Sequence, residues 1–321
     1  MLLRRGPQLA GIGAVPLVTG ALRDRAVLET LMPAATIPRS AMWDMRSREG
    51  HDYRIFVSLP EGEPGPDGFP VLYLLDGNVT FAAAASSATL QARRPKATGV
   101  APAVVVGIGY PVDDYLDPVG RTRDYTPALA ASEFPRRPDN SDWPPTGGAD
   151  VFLDFIERDL KRAVEEQFAV DRNRQALFGH SFGGLLTLHA LFTRPRSFRC
   201  YIAASPSLWF ARAALHEEFR AFLRDRAASA PPVDLLLTVG SQEQESANSA
   251  GLEAADETAR WRNNNRMIDN ARELSDLIAR ARPHAMTVRF KEFEEENHSS
   301  VLPVAIGRAV RFALGRNAVP P

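Results

Sequence analysis

The chain has 321 residues, 45% of them hydrophobic, which is enough to bury one large core or two modest ones. Its 38 basic and 39 acidic residues leave a formal net charge of −1, which provides neither the cationic stripe that nucleic acid requires nor a basic face for an anionic membrane. The single cysteine, Cys200, excludes an intrachain disulfide and a cysteine-built metal site; lying in the apolar stretch 198–204, it reads as a buried structural thiol.

Residues 1–38 read either as an N-terminal arm or as an export signal. Arg4 and Arg5 precede an apolar run, Leu9 to Leu22, that ends in Thr19, Gly20 and Ala21, a pattern suited to twin-arginine export. Pro7 and Pro16 make the same run a poor helix. It is too short to cross a membrane, and no other segment approaches about 18 uninterrupted apolar residues. The expectation is a cytoplasmic protein without stable membrane insertion, or a periplasmic or exported one if the twin-arginine segment acts as a signal.

Past residue 40, β-rich runs alternate with amphipathic helical runs, which predicts an α/β fold with a mostly parallel sheet. Tyr53, Ile55, Val57 and Leu59 alternate with polar neighbours, as in a half-buried strand. The runs 71–75, 104–108, 175–178, 235–239 and 286–290 read as central strands buried on both faces. A helix over 151–167 carries Val151, Phe152, Phe155, Ile156, Leu160 and Val164 on one stripe. Further helices are predicted from Gly184, around Met267 to Ile278, and over 302–314. The segment 61–68 reads as a Pro/Gly hairpin loop, and 130–148 and 241–265 as irregular. We read one domain over 39–321, with loop insertions at 128–150 and 244–265.

The sharpest chemical signal is Gly179-His180-Ser181-Phe182-Gly183-Gly184, between a strand and a helix. Strand, G-x-S-x-G and helix in that order form a nucleophile elbow. A serine on so tight a turn tolerates only small neighbours, and the following helix N-terminus presents amides to developing negative charge. A serine hydroxyl needs a base, and this architecture orders the residues as Ser, acid, His. Four histidines follow Ser181. His189 lies on the elbow helix, too early for an acid to intervene, and His216 and His284 read as solvated. His298 follows a late strand and precedes the last helix, and is the predicted base. Glu243, three residues past Gly240, is the first choice of acid, with Glu245 and the more remote Asp269 as alternatives. The backbone amides of Phe182 and Asn78 are the predicted oxyanion donors. Asp76, preceding the elbow, reads as a turn residue.

These segments, with 53–57, 70–78, 121–127, 205–209 and 297–303, resemble the esterase branch of α/β-hydrolases that holds the siderophore trilactone esterases. The chain is more distantly similar to feruloyl esterases, S-formylglutathione hydrolase and mycolyltransferase antigens. The resemblance spans residues 40–315 in order and implies an α/β-hydrolase fold, helices on both faces of the sheet, Ser181 as nucleophile and His298 as base. Some relatives are Ser–His dyads without a strong acid, so Glu243, Glu245 or no acid remain open. It also puts Arg121 and Arg123 beside a substrate cleft, where they bind an anionic group or else pair structurally with Asp124. Tyr125, Trp143 and Trp209 line an aromatic-acyl pocket or serve as core or lid residues. The polar stretch 244–265 is longer than the family pattern.

The expected activity is hydrolysis of a small-molecule carboxylic ester through an acyl-enzyme, with siderophore and aromatic-acyl esters as candidate substrates. It requires no metal or organic cofactor and no nucleic acid. An acyltransferase using the same triad and a non-catalytic ligand-binding protein on the same fold are the alternatives. Oligomeric state is not encoded in any motif.

Overall fold

The computed structural model describes residues 35–130, 133–137, 139–225, 230–244 and 263–315. Contacts divide the chain between Thr36 and Ile37, and the unit from Ile37 onward holds the sheet and its helices. The predicted N-terminal signal falls almost wholly outside the described residues, as do Glu245 and most of the 244–265 insertion.

Eight strands form one sheet: β1 (Ser40–Arg46), β2 (Asp52–Ser58), β3 (Phe69–Leu75), β4 (Val104–Gly109), β5 (Val170–His180), β6 (Cys200–Ala204), β7 (Val233–Gly240) and β8 (Met286–Phe293). Their order is β1-β2-β4-β3-β5-β6-β7-β8. The first two pairings, β1 with β2 and β2 with β4, are antiparallel, and all the others are parallel. Among the described residues, seven helices of eight or more residues accompany them: α1 (Gly77–Ala92), α2 (Pro118–Tyr125), α3 (Ala149–Phe155, continuing through a π turn at Ile156–Leu160 to Lys161–Gln167), α4 (Phe182–Thr193), α5 (Arg212–Asp225), α6 (Met267–Ala281) and α7 (Val301–Leu314).

Side chains alternate across each strand, so a strand covered on both faces is apolar at every position. In β3, Leu72 and Leu74 pack with Phe81 and Ala84 of α1 and Ala305 and Ile306 of α7. Its alternate residues Val71, Tyr73 and Leu75 face the other layer, with Phe152 and Phe155 of α3, Leu185 and Leu188 of α4, and Leu274 of α6. Leu72, Leu74 and Phe178 are fully buried; such side chains contribute about 1.5–3 kcal/mol each.

Several elements depart from expectation. The run 286–290 is not covered on both faces: β8 is an edge strand, and its residues are only half-buried. Residues 61–68 close no hairpin, because β2 pairs with β1 and β4 and not with β3; the tight reversal joins β1 to β2, through Ser47 and Gly50. Val151 is 41% exposed, off the buried stripe of α3, and α4 begins at Phe182 instead of Gly184. Sequence patterning missed β1, β6, α1 and α2. The buried face of α1 is Phe81, Ala84, Ala85 and Ala88, at helical spacing but too small-sided to stand out as an apolar stripe.

A parallel sheet delivers all its strand C-termini to one edge, which is where this architecture forms ligand sites. Here that edge receives Asp76 after β3, Ser181 after β5, Ser205 and Ser207 after β6, Glu243 after β7 and His298 after β8.

His189 gives the fold a pH dependence. Burial alone would lower its pKa, but Asp150 and Glu218, the latter 2.8 Å from Nδ1, raise it from 6.5 to about 9. A histidine held above its unfolded pKa contributes stability that is complete below about 6.5 and disappears as pH rises through about 9. The stability advantage of the native chain over His189→Gln, measured by urea unfolding, should therefore shrink across that interval. A constant difference would contradict the assignment.

Candidate active site

At the end of β5 the backbone turns at Ser181, with φ 61° and ψ −119°, and enters α4 at Phe182. This conformation is costly for a residue with a Cβ, about 1–3 kcal/mol, and persists only where neighbours enforce it. The neighbours here are close. A Cβ on Gly179 would lie 2.1 Å from the Gly183 carbonyl oxygen, and one on Gly184 would lie 2.9 Å from that of Ala204. The Ser181 amide donates to the Ala204 carbonyl at 3.0 Å, and the Ser207 amide donates to the Ser181 carbonyl at 3.1 Å.

The turn aims Ser181 Oγ at His298, whose Nε2 is 3.1 Å away. The other imidazole nitrogen, Nδ1, is 2.6 Å from Glu243 Oε2. The two side chains differ in environment: that of His298 is 43% exposed, that of Glu243 only 1%. The loop before α7 presents His298, and Asn297 shapes that loop by accepting the amides of Ser299 and Ser300 through Oδ1 at 2.9 and 3.0 Å. Glu243 Oε1 accepts from the Gly240 amide at 2.6 Å and from Ser205 Oγ at 2.5 Å. A carboxylate accepting from both of these donors and from His298 orients the imidazole with its proton on Nδ1, leaving Nε2 as the acceptor for Ser181. Beneath His298 lies the ring of His180, with centroids 4.6 Å apart. Its burial, with His298 and Arg121 nearby, holds His180 well below the usual histidine range, so it stays neutral.

Phe182 and Asn78 both occupy the first turn of a helix, where amides lack intrahelical acceptors and the helix dipole is positive. The Asn78 carboxamide brackets Tyr110, accepting its amide at 2.8 Å and donating to its carbonyl at 3.0 Å. This ties the start of α1 to the end of β4. Asp76, left-handed at φ 52°, precedes that start; Arg121 grips its carboxylate through two hydrogen bonds of 2.9 and 3.0 Å.

The four predicted substrate-binding residues separate into two pairs. Arg121 and Trp209 line a cleft of about 770 Å³ that also exposes Ser181 and His298. Arg121 is, however, committed to Asp76 and not to Asp124. Arg123 is the residue that pairs with Asp124, at 2.7 Å, and it is absent from the cleft wall. Tyr125 is fully buried, and its hydroxyl accepts the Asp76 amide at 3.0 Å; it supports the turn between β3 and α1. Trp143 joins the wall, its ring centroid 6.1 Å from that of Trp209, with the Arg137 guanidinium 5.4 Å from its own. Sequence reading passed over Arg137, Gln242, Asn263 and Asn265, which also line the cleft and carry no motif. It quoted Ser207 only within a matching segment. Asp269 is bonded to Gln244 and Arg266, away from His298. Among the described residues no cluster of three or more His, Cys, Asp or Glu could hold a metal ion, and no helix is long and apolar enough to cross a membrane.

Comparison with known proteins places this site in context. The model of the Esterase family, described as "Putative esterase", matches residues 47–273. The chain is 41% identical to the ferri-bacillibactin esterase BesA of Bacillus subtilis over 282 residues, covering 88% of this chain and 91% of that protein. It is 36% identical to the siderophore triacetylfusarinine C esterase of Aspergillus fumigatus over 284 residues, covering 85% and 92%. The crystal structure of the BES protein from Bacillus cereus superposes with a TM-score of 0.78 at 33% identity, covering 88% of this chain and 98% of that one.

The Arg121–Asp76 pair is nearly enclosed, with side chains 13% and 5% exposed. Removing one member of such a pair strands the other charge, at a cost of about 3–5 kcal/mol. Arg121→Met should lower unfolding free energy by about that much in denaturant titration, and Asp76→Asn added to it should recover a large part. Additive losses in the double variant would show that the two residues do not act as a pair.

Proposed function

The chain belongs to this esterase family, and from that premise we propose that it hydrolyses the ester bonds of a siderophore, with Ser181 as nucleophile, His298 as general base and Glu243 as the acid that orients it. It is a serine ester hydrolase of the α/β-hydrolase fold. The observation that carries the proposal is the continuous hydrogen-bonded line from Glu243 through His298 to Ser181, opening on a cleft large enough for a substrate bigger than a simple ester.

In this reading Ser181 Oγ attacks the ester carbonyl carbon as its proton passes to His298 Nε2, 3.1 Å away. The amides of Phe182 and Asn78 receive the charge that moves onto the carbonyl oxygen; a donor in that position is worth about 10²–10³ in kcat. His298 then protonates the departing alkoxide, and water repeats the sequence on the acyl-enzyme. Glu243 holds the tautomer and stabilises the imidazolium. Trp143 and Trp209 present an apolar wall to the bound molecule, while Asn263, Asn265, Gln242 and Arg137 supply hydrogen bonds. Siderophores as the substrate class rest on the relatives: ferri-bacillibactin and triacetylfusarinine C esterases align over most of their own lengths.

The test is kcat/KM on a panel of siderophore trilactones, feruloyl esters and short p-nitrophenyl esters. A siderophore ester should be preferred by at least about tenfold, the equivalent of about 1.4 kcal/mol in transition-state binding. Ser181→Ala should abolish turnover. Glu243→Gln should lower kcat by about 10³–10⁴ with little change in KM, as expected when the imidazole loses its orienting anion. Preference for simple esters would overturn the substrate assignment, and transfer of the acyl group to added alcohols in place of water would overturn hydrolysis as the reaction.

A further inference from the structure

The loop after β6 carries two serines, and both reach the catalytic line. Ser205 Oγ meets Glu243, and Ser207 Oγ lies 3.2 Å from Ser181 Oγ. Ser207 is 2% exposed, yet it lines the cleft. Its amide donates to the Ser181 carbonyl at 3.1 Å, so its position is fixed to the nucleophile's own turn.

Proton counting sets the direction of the hydroxyl contact. Glu243 accepts from His298 Nδ1, which leaves Nε2 with a lone pair. Ser181 has one proton and directs it to Nε2. The proton between the two serine oxygens therefore belongs to Ser207.

Resting on the assignment of Ser181 as nucleophile, we propose that Ser207 is a further catalytic residue, whose hydroxyl stabilises the negative charge that gathers on Ser181 Oγ in both half-reactions. In acylation the Ser181 O–H bond breaks, its proton moves to His298 Nε2, and an Oγ lone pair forms the bond to the carbonyl carbon while the π pair moves onto the carbonyl oxygen. Ser207 keeps its own proton and donates to Oγ while that oxygen is richest in charge. Once Oγ is an ester oxygen it is a poorer acceptor, and the contact weakens. In deacylation water bonds to the carbonyl carbon and gives a proton to His298; the oxyanion pair then re-forms the carbonyl as the carbon–Oγ bond breaks, its electron pair returns to Oγ, and Oγ takes that proton from His298 while Ser207 again donates. An interaction stronger in the transition state than in either flanking state raises kcat without tightening substrate binding.

The experiment measures the second-order rate of inactivation by diisopropyl fluorophosphate, which uses the same nucleophile but few contacts in the cleft, beside kcat and KM for p-nitrophenyl acetate. Ser207→Ala should slow inactivation and kcat by about tenfold or more, the range for a hydrogen bond to a charged group, with KM within about twofold. Ser207→Thr, which keeps the hydroxyl, should recover most of the loss. Inactivation of folded Ser207→Ala at the native rate would overturn the proposal, as would equal losses in folded Ala and Thr variants. Absence of labelling at Ser181 in the native protein would overturn the nucleophile assignment itself, a result separable from the other two because no variant is needed to see it.

Discussion

A serine hydroxyl is a weak nucleophile until a base takes its proton, and the backbone turn at Ser181 is what aims that hydroxyl at the His298 imidazole. Ser181 adopts φ 61° at the top of β5, and the molecule surrounds it with requirements that fit together. Gly179 and Gly184 admit backbone approaches that any Cβ would block. The Ala204 carbonyl and the Ser207 amide clamp the turn from the adjacent strand. The same bend that raises Oγ towards His298 starts α4 at Phe182, so one conformational constraint sets both the Ser181 hydroxyl and the first amide of the helix.

The acid arm is built by a different device. Glu243 follows β7, where Gly240 approaches the Glu296 carbonyl so closely that a Cβ would lie 2.3 Å from it. That approach joins the acid's loop to the one carrying His298, and the Gly240 amide and Ser205 hydroxyl fix the carboxylate between them. Loops after β5, β6, β7 and β8 thus act on one another through short bonds. The loop after β3 is braced separately by Arg121, Asp76 and Tyr125. Of the residues that the family resemblance put beside a substrate cleft, Arg121 and Tyr125 hold Asp76 in place ahead of α1.

What was legible in the sequence follows from which interactions are local. The elbow could be read because its steric demand falls on consecutive residues. His298 could be read because the strand and helix around it are strongly patterned. Glu243 lay at a recognisable turn after a buried strand, although its choice over Glu245 depends on which oxygen meets an imidazole 55 residues later. The partners of Arg121 and Arg123 could not be read. Arg121 and Asp76 are 45 residues apart and meet only because α2 packs beside the end of β3, whereas Arg123 takes the adjacent Asp124. Likewise, α1 escaped notice because it buries alanines, and β8 was taken for a central strand on the run 286–290, although Arg289, Lys291 and Glu292 carry the charge that suits an edge. The polar cleft wall, Arg137 and the asparagines, belongs to irregular segments without periodicity.

Passage of an acyl group through Ser181 under the control of His298 can be caught by rapid acid quench of the enzyme with an aromatic ester, followed by peptide mass mapping. One acyl adduct should be found, on the peptide that contains Ser181, formed within the first turnover and absent from His298→Ala over the same interval. An adduct on another residue, or one that forms as fast without His298, would contradict it.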